Sequence, residues 1–158
     1  MMSICIRYCK DKHEAGSRLN LSFLKVLQHL DQFDRNGSFK AWVSKITLRS
    51  IIDEFRAQQK HYKQHVYFGQ LGQDLDLPHE EDSHIARETD INYLMSIIAK
   101  LPPMDKEVFN LFAIDGYAHK EIAAMLNISE GTSKWHVHEA RKKIRETLVN
   151  ASKTASLK

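Results

Sequence analysis

No run of apolar residues in this sequence approaches the ~20 needed to cross a bilayer, so membrane insertion is not expected. Met1 to Cys9 has neither the long apolar segment nor the cleavage site of a secretory signal, which points to a cytoplasmic location. Cysteine is scarce: only Cys5 and Cys9 occur, and in a reducing compartment they read as core thiols rather than as a disulfide or a metal pair. There is no Gly-rich phosphate loop, no internal repeat and no strand pattern of note. Histidine is plentiful, yet it does not make a metal site. His61 and His65 have helical spacing and His136 and His138 lie beside Glu139, but no third or fourth ligand follows at a recognisable interval. No nucleophile–base or carboxylate pair stands out from the helical pattern, so neither an enzyme nor a small-molecule substrate is expected, and no cofactor.

What is present is a helical chain with a mild basic excess. The net charge of +3 permits nucleic acid as a partner without demanding it, and 42% apolar content is enough for a core. Met1 to Glu14 reads as the end of a helix, with Ile4, Cys5 and Tyr8 apolar. Leu19, Phe23, Val26, Leu27 and Leu30 form a helical stripe. Phe33 to Ser38 contains Asn36-Gly37 and reads as a turn, after which Ser38 caps a helix running to about Lys60. Phe39, Val43, Ile46, Ile52 and Phe55 mark its expected buried side. Gly69, Gly72 and Pro78, with Asp74, Asp76, Glu80, Glu81 and Asp82, then suggest an acidic flexible linker.

A second helical domain is expected from about Ala86. Ile91, Leu94, Ile97 and Ile98 give the buried face of its first helix, Leu101-Pro102-Pro103 ends it, and Pro103 opens the next. Asp115-Gly116 closes that helix, with glycine suited to the residue just past the end. The fold class is thus all-α: residues 1–60 as one small domain, 61–85 as linker, 86–150 as a second domain and 151–158 as a polar tail.

The stretch from Gly116 to Leu148 organises the rest, because it has the pattern of a helix-turn-helix. His119 to Leu126 is a short helix with Ile122, Ala123 and Leu126 on one face, and Asn127-Ile128 make the turn. Ser129 is placed to accept a hydrogen bond from the backbone of Gly131 or Thr132. In the helix that follows, Ser133, Val137, Ala140, Ile144 and Leu148 point inward, while Lys134, Trp135, His138, Arg141, Lys142 and Arg145 take the opposite face. A polar, mostly basic helix face behind a short support helix suits the DNA major groove. An amphipathic hairpin in an ordinary helical domain is the plainer alternative.

With both halves laid out, the chain resembles the extracytoplasmic-function sigma factors of bacterial RNA polymerase. The run LPPMDKEVFNLFAIDGYAHKEIAAMLNISEGTSKWHVHEARKKI resembles the domain that reads the −35 promoter element, and ISEGTSKWHVHEARKKI resembles its version in Bacteroidetes. ICIRYCKDKHEA, FLKVLQHLDQFDRNGSFKAWVSKI and IIDEFR resemble the domain that binds core polymerase and the −10 element. The resemblance implies promoter DNA and core RNA polymerase as partners and leaves room for an anti-sigma factor. It assigns −35 contacts to Glu130, Thr132, Lys134, Trp135, His138, Glu139, Arg141 and Lys142. It assigns −10 contacts to Asp34, Arg35, Asn36, Lys40, Trp42, Lys45, Arg49 and Arg56, and polymerase docking to Asn20, Phe23, Lys25 and Gln28. The chain departs from the family in three places. The family's residues before the position of Met1 are missing, which implies a shortened N-terminus. Gly16 to Leu21 lacks the family's acidic pattern, and Arg49 stands where asparagine is usual.

Several of these residues carry two readings. Trp135 contacts a thymine methyl or the DNA backbone, or else packs on a neighbouring helix. Glu139 accepts from cytosine or merely repels phosphate. Arg141, Lys142 and Arg145 hold phosphates or form a solvated face. Trp42 stacks on a base flipped from the −10 element or anchors its helices. At the level of the whole chain, the alternatives are a helix-turn-helix regulator whose first domain no longer docks on polymerase, and a metal-dependent enzyme using the histidines.

Overall fold

A computed structural model describes residues 1–67 and 90–155. The architecture is all-α, with no strand among the described residues. Among the described residues seven α-helices follow one another: α1 (Met2–Tyr8), α2 (Lys12–Gln28), α3 (Phe39–Tyr67), α4 (Asp90–Ala99), α5 (Pro103–Phe109), α6 (His119–Leu126) and α7 (Glu130–Ala155). A 3-10 turn covers Leu30–Gln32, and α5 runs into a π-helical turn over Asn110–Ile114.

Local chemistry sets most of the boundaries. The break between α1 and α2 comes from Asp11, whose carboxylate accepts from the Glu14 N–H at 2.7 Å. Glu14 reaches back to the Lys10 N–H at 3.0 Å, so two donors at the helix start are satisfied. The expected single helix over Met1 to Glu14 is therefore two, and the Asp-x-x-Glu pair is the signal for it. Ser38 accepts from the Ala41 N–H at 3.3 Å and starts α3 as expected. Pro103 is the first residue of α5. Gly116, at φ 78°, ends the π-turn in a conformation that a β-carbon disfavours. α3 continues to Tyr67, past the expected end near Lys60, and α7 continues to Ala155 into the expected tail. The acidic segment from Asp74 to Asp82 lies outside the described residues.

One apolar cluster joins the two halves of the chain. Cys5 and Tyr8 of α1 and Cys9 just after it, together with Leu48, Ile51 and Ile52 of α3, pack in it with Val108, Leu111, Ile122 and Leu126. Polar contacts reinforce the seam: Arg7 pairs with Asp115 at 2.6 Å. Tyr8 donates to the other oxygen of that carboxylate. Asn110, fully buried on the π-turn, donates to the Arg7 carbonyl at 3.1 Å. A second cluster sets Ile97, Ile98 and Leu101 against Ala140 and Ile144, seating α4 on α7. Both thiols are free and buried, and desolvation pushes the Cys9 thiol up to about 11.

The buried faces differ in detail from the periodicity. On α3 the buried residues are Thr47, Leu48, Ile51 and Ile52, while Phe39 is 50% exposed. On α2 they are Ala15, Ser22 and Val26, and the apolar stripe of Phe23, Leu27 and Leu30 faces solvent instead. Leu94 and Leu148 are also exposed. A helical stripe reports an apolar face, not what covers it.

Candidate nucleic-acid interface

The helix-turn-helix forms over the expected residues. Glu121 accepts from the Ala118 N–H at 2.8 Å and secures the first turn of α6. Asn127 then adopts left-handed backbone at φ 54°, a region asparagine tolerates better than most residues. Ser129 accepts from the Thr132 N–H at 2.9 Å and opens α7. Ile122, Leu126, Ser133, Val137, Ala140 and Ile144 are all buried, so the expected inward row is present up to Ile144.

The outward face of α7 is free. Lys134, Trp135, His138, Arg141, Lys142 and Arg145 are all exposed. Trp135, at 56% exposure, does not pack on a neighbouring helix; its ring only meets the edge of His136 at 4.8 Å. Lys134 pairs with Glu130 at 2.8 Å, and that bond and charge lower the Glu130 carboxyl below its usual range. Thr132 is half-buried and its hydroxyl lies 2.8 Å from that of Ser129, so it belongs to the cap. Glu139 is half-buried. The Arg141 guanidinium sits 5.6 Å above the Phe112 ring, a cation–π contact that leaves its other face open.

Behind this face is a polar frame that the periodicity did not disclose. The Asp105 carboxylate, almost fully buried, meets His136 Nδ1 at 2.7 Å and accepts from Lys143 Nζ at 2.6 Å. His119 lies 3.0 Å from the Ser133 hydroxyl, and its ring stacks on Phe112 at 4.4 Å. Nothing in helical spacing links Asp105 to His136; only the fold brings them together.

In the first half, Lys45, Arg49 and Arg56 share one face of α3, while Lys40 lies on another at about 100° per residue. These three basic residues line a groove of roughly 300 Å³ whose far wall is Tyr117, Ala124 and Met125 of the helix-turn-helix. Asp34, Arg35 and Asn36 are exposed in the loop before α3, where the Asp34 carboxylate accepts from the Asn36 N–H at 3.0 Å. Trp42 is half-buried and packs with Phe33 and Phe39, ring centres 5.3 and 5.8 Å away. That trio ties the loop to α3.

α2 presents the remaining surface. Asn20, Phe23 and Gln28 are exposed and Lys25 is half-buried. Asn20 and Phe23 share their face with Leu24 and Leu27, each of the three apolar side chains more than half exposed. Gln28 lies at the edge of that face, and Lys25 lies beyond it, next to the buried row of Ser22 and Val26. Among the described residues no group of histidine, cysteine or carboxylate side chains is arranged to hold a metal, and no helix is long and apolar enough to cross a membrane.

Comparison with known proteins gives the two halves separate matches. Residues 1–61 match the family model described as Sigma-70 region 2, and residues 91–144 match Sigma-70, region 4. The chain is 29% identical over 154 residues to the ECF RNA polymerase sigma factor SigW of Bacillus subtilis, covering 92% of this chain and 81% of that one. It is 27% identical over 134 residues to the RNA polymerase sigma factor CnrH of Cupriavidus metallidurans, covering 80% and 69%. Among solved structures it is similar in fold to the sigma factor RpoE bound to the anti-sigma factor NepR from Bartonella quintana, with TM-score 0.58 and 19% identity, covering 93% and 88% of the two chains.

Proposed function

The chain belongs to the sigma-70 family, in its extracytoplasmic-function type, and from that premise we propose how its two halves divide the work of promoter recognition. As such a factor it binds core RNA polymerase and directs transcription initiation at promoter DNA. Residues 1–60 dock on polymerase and read the −10 element; residues 86–150 read the −35 element. It acts in the cytoplasm as a specificity subunit and performs no catalysis itself. Its recognition helix is of the Bacteroidetes type, and an anti-sigma factor is a fitting partner.

The observation that carries the division of labour is that each half offers a distinct unsatisfied surface. α2 exposes Phe23, Leu24 and Leu27 side by side, an apolar patch of the kind that marks protein contact. With no acidic residue in Gly16–Leu21, docking there rests on apolar burial more than on charge. α7 exposes Lys134, Trp135 and His138 at its N-terminal end, where a recognition helix meets base edges, with Arg141 and Lys142 further along for phosphates. On α3, Lys45, Arg49 and Arg56 form the basic face assigned to the −10 element; Trp42 and the loop Asp34–Asn36 stand beside it. The match of residues 1–61 to region 2 weighs against a regulator that has lost polymerase docking.

In vitro transcription tests this reading. Purified chain added to core polymerase should produce discrete transcripts from a promoter library that core alone does not produce. Phe23→Asp should abolish them while leaving DNA binding by α7 intact. Transcription by core that is indifferent to the added chain would sink the proposal.

A further inference from the structure

Deepening the proposed −35 reading, on which it rests, we infer that Asp105 is a positioning residue that fixes the rotation of α7 and thereby sets promoter discrimination. Asp105 is 3% exposed, in the first turn of α5, and so is withdrawn from the surface that would meet DNA. Both of its oxygens are committed to α7. Oδ1 meets His136 Nδ1 at 2.7 Å and Oδ2 accepts from Lys143 Nζ at 2.6 Å. His136 and Lys143 stand two helical turns apart on one line of α7. One carboxylate therefore fixes the helix at two heights, which holds both its rotation and its axial position.

The placement of that line matters. At about 100° per residue, Lys134, His138 and Arg145 fall within about 20–40° of the direction opposite His136. The anchor thus stands directly behind the reading face. Rotating α7 by about 20° would carry side-chain tips, some 6 Å from the axis, through roughly 2 Å. Hydrogen bonds to base edges work over a window of about half an ångström. Direct reading would fail under such a rotation. Contacts to phosphate from long, exposed side chains such as Lys142 would re-form with other rotamers. His136 also meets the ring of Trp135 edge-on at 4.8 Å, so the carboxylate orients that exposed indole at one remove.

The apolar packing of α7 through Val137, Ala140 and Ile144 buries its inner face by contact that has no directional preference of its own. A charged acceptor shared by two donors has direction as well as distance. Discrimination should therefore depend on Asp105 more than stability or general DNA affinity does.

The test uses the full chain. Its preferred duplex is first selected from a random pool, and affinity is then measured on that duplex and on a scrambled one at fixed salt. Asp105→Ala should reduce the ratio of the two affinities by about tenfold or more, with scrambled-DNA affinity and salt slope within about twofold of the parent. Asp105→Asn, which keeps an oxygen acceptor, should recover part of the ratio. Lys143→Met, which removes one donor from a partly exposed position, should lower the ratio in the same direction, and it decides the matter if thermal melting shows that Asp105→Ala does not fold. An unchanged ratio in folded variants, or an equal loss on both duplexes, would overturn the inference. A parent chain that selects no preferred duplex would instead overturn the reading of α7 itself.

Discussion

Glu107 should make the stability of this protein fall as pH rises. Its carboxyl lies on α5, is 3% exposed, and has one oxygen without a hydrogen-bond partner. Burial is the main cause that pushes it up to about 8 from an ordinary 4.5; Glu14 adds to the shift and Lys106 opposes it. Below the unfolded value the group is protonated in both states and costs nothing. As pH rises from about 4.5 the unfolded chain ionises while the folded chain does not, so stability is lost until pH passes the folded value near 8, and is flat above it. At about 1.4 kcal/mol per unit, the full shift would cost at most about 4–5 kcal/mol, and local relaxation should leave about half of that. Glu107→Gln keeps the shape and removes the titration. Urea unfolding of parent and variant between pH 5 and 9 should show near-equal stability at pH 5. At pH 9 the variant should be ahead by about 2–3 kcal/mol. The difference between the two proteins cancels every other titrating group. A difference independent of pH, or one favouring the parent at pH 9, would refute the argument from burial.

Further expectations concern the two surfaces and the seam. Lys134→Ala should cost about 1–3 kcal/mol on the preferred −35 duplex and much less on a scrambled one. Lys142→Ala should weaken both alike and reduce the salt slope by about one phosphate contact, and a salt titration of both variants would expose equal behaviour if the assignment is wrong. Gly116→Ala should destabilise the fold by about 1–2 kcal/mol in thermal melting, because its backbone is left-handed although nothing crowds the site; an unchanged melting temperature would contradict this. A specific protease site introduced between residues 68 and 89 should yield two fragments that still elute together after cutting. Arg7→Ala should loosen them, whereas separate elution from the parent would show that the shared core does not hold.

The helix-turn-helix was legible because every part of it is local. The turn at Asn127, the cap at Ser129 and the inward row from Ser133 to Ile144 lie within a few turns of one another, and spacing alone orders them. Trp135 was ambiguous because an exposed indole and a buried one have the same letter. The seam was not legible. Cys5 and Tyr8 announce an apolar face on α1, but their partners Val108 and Leu111 lie about a hundred residues away, and no period connects them. The same holds for Asp105 and His136. On α2 the spacing discloses an apolar stripe; that it faces solvent depends on α1 and α3 covering the other side, at Ala15, Ser22 and Val26.

The shared core has a thermodynamic consequence for promoter binding. Elements named for positions 10 and 35 base pairs upstream are centred about 25 base pairs apart, roughly 85 Å along B-DNA. Yet in the closed chain the basic face of α3 and the support helix α6 line opposite walls of one narrow groove. On the proposed division of labour, a chain in this state engages one element at a time. The free energy of parting Cys5, Tyr8 and Leu48 from Val108, Leu111 and Ile122 then enters every affinity for the full promoter, because apparent binding is weakened by the fraction of chains that are open. By the same linkage, a polymerase that holds the halves apart raises promoter affinity without touching a base, and a ligand that clasps the closed form lowers it by as much as it prefers that form.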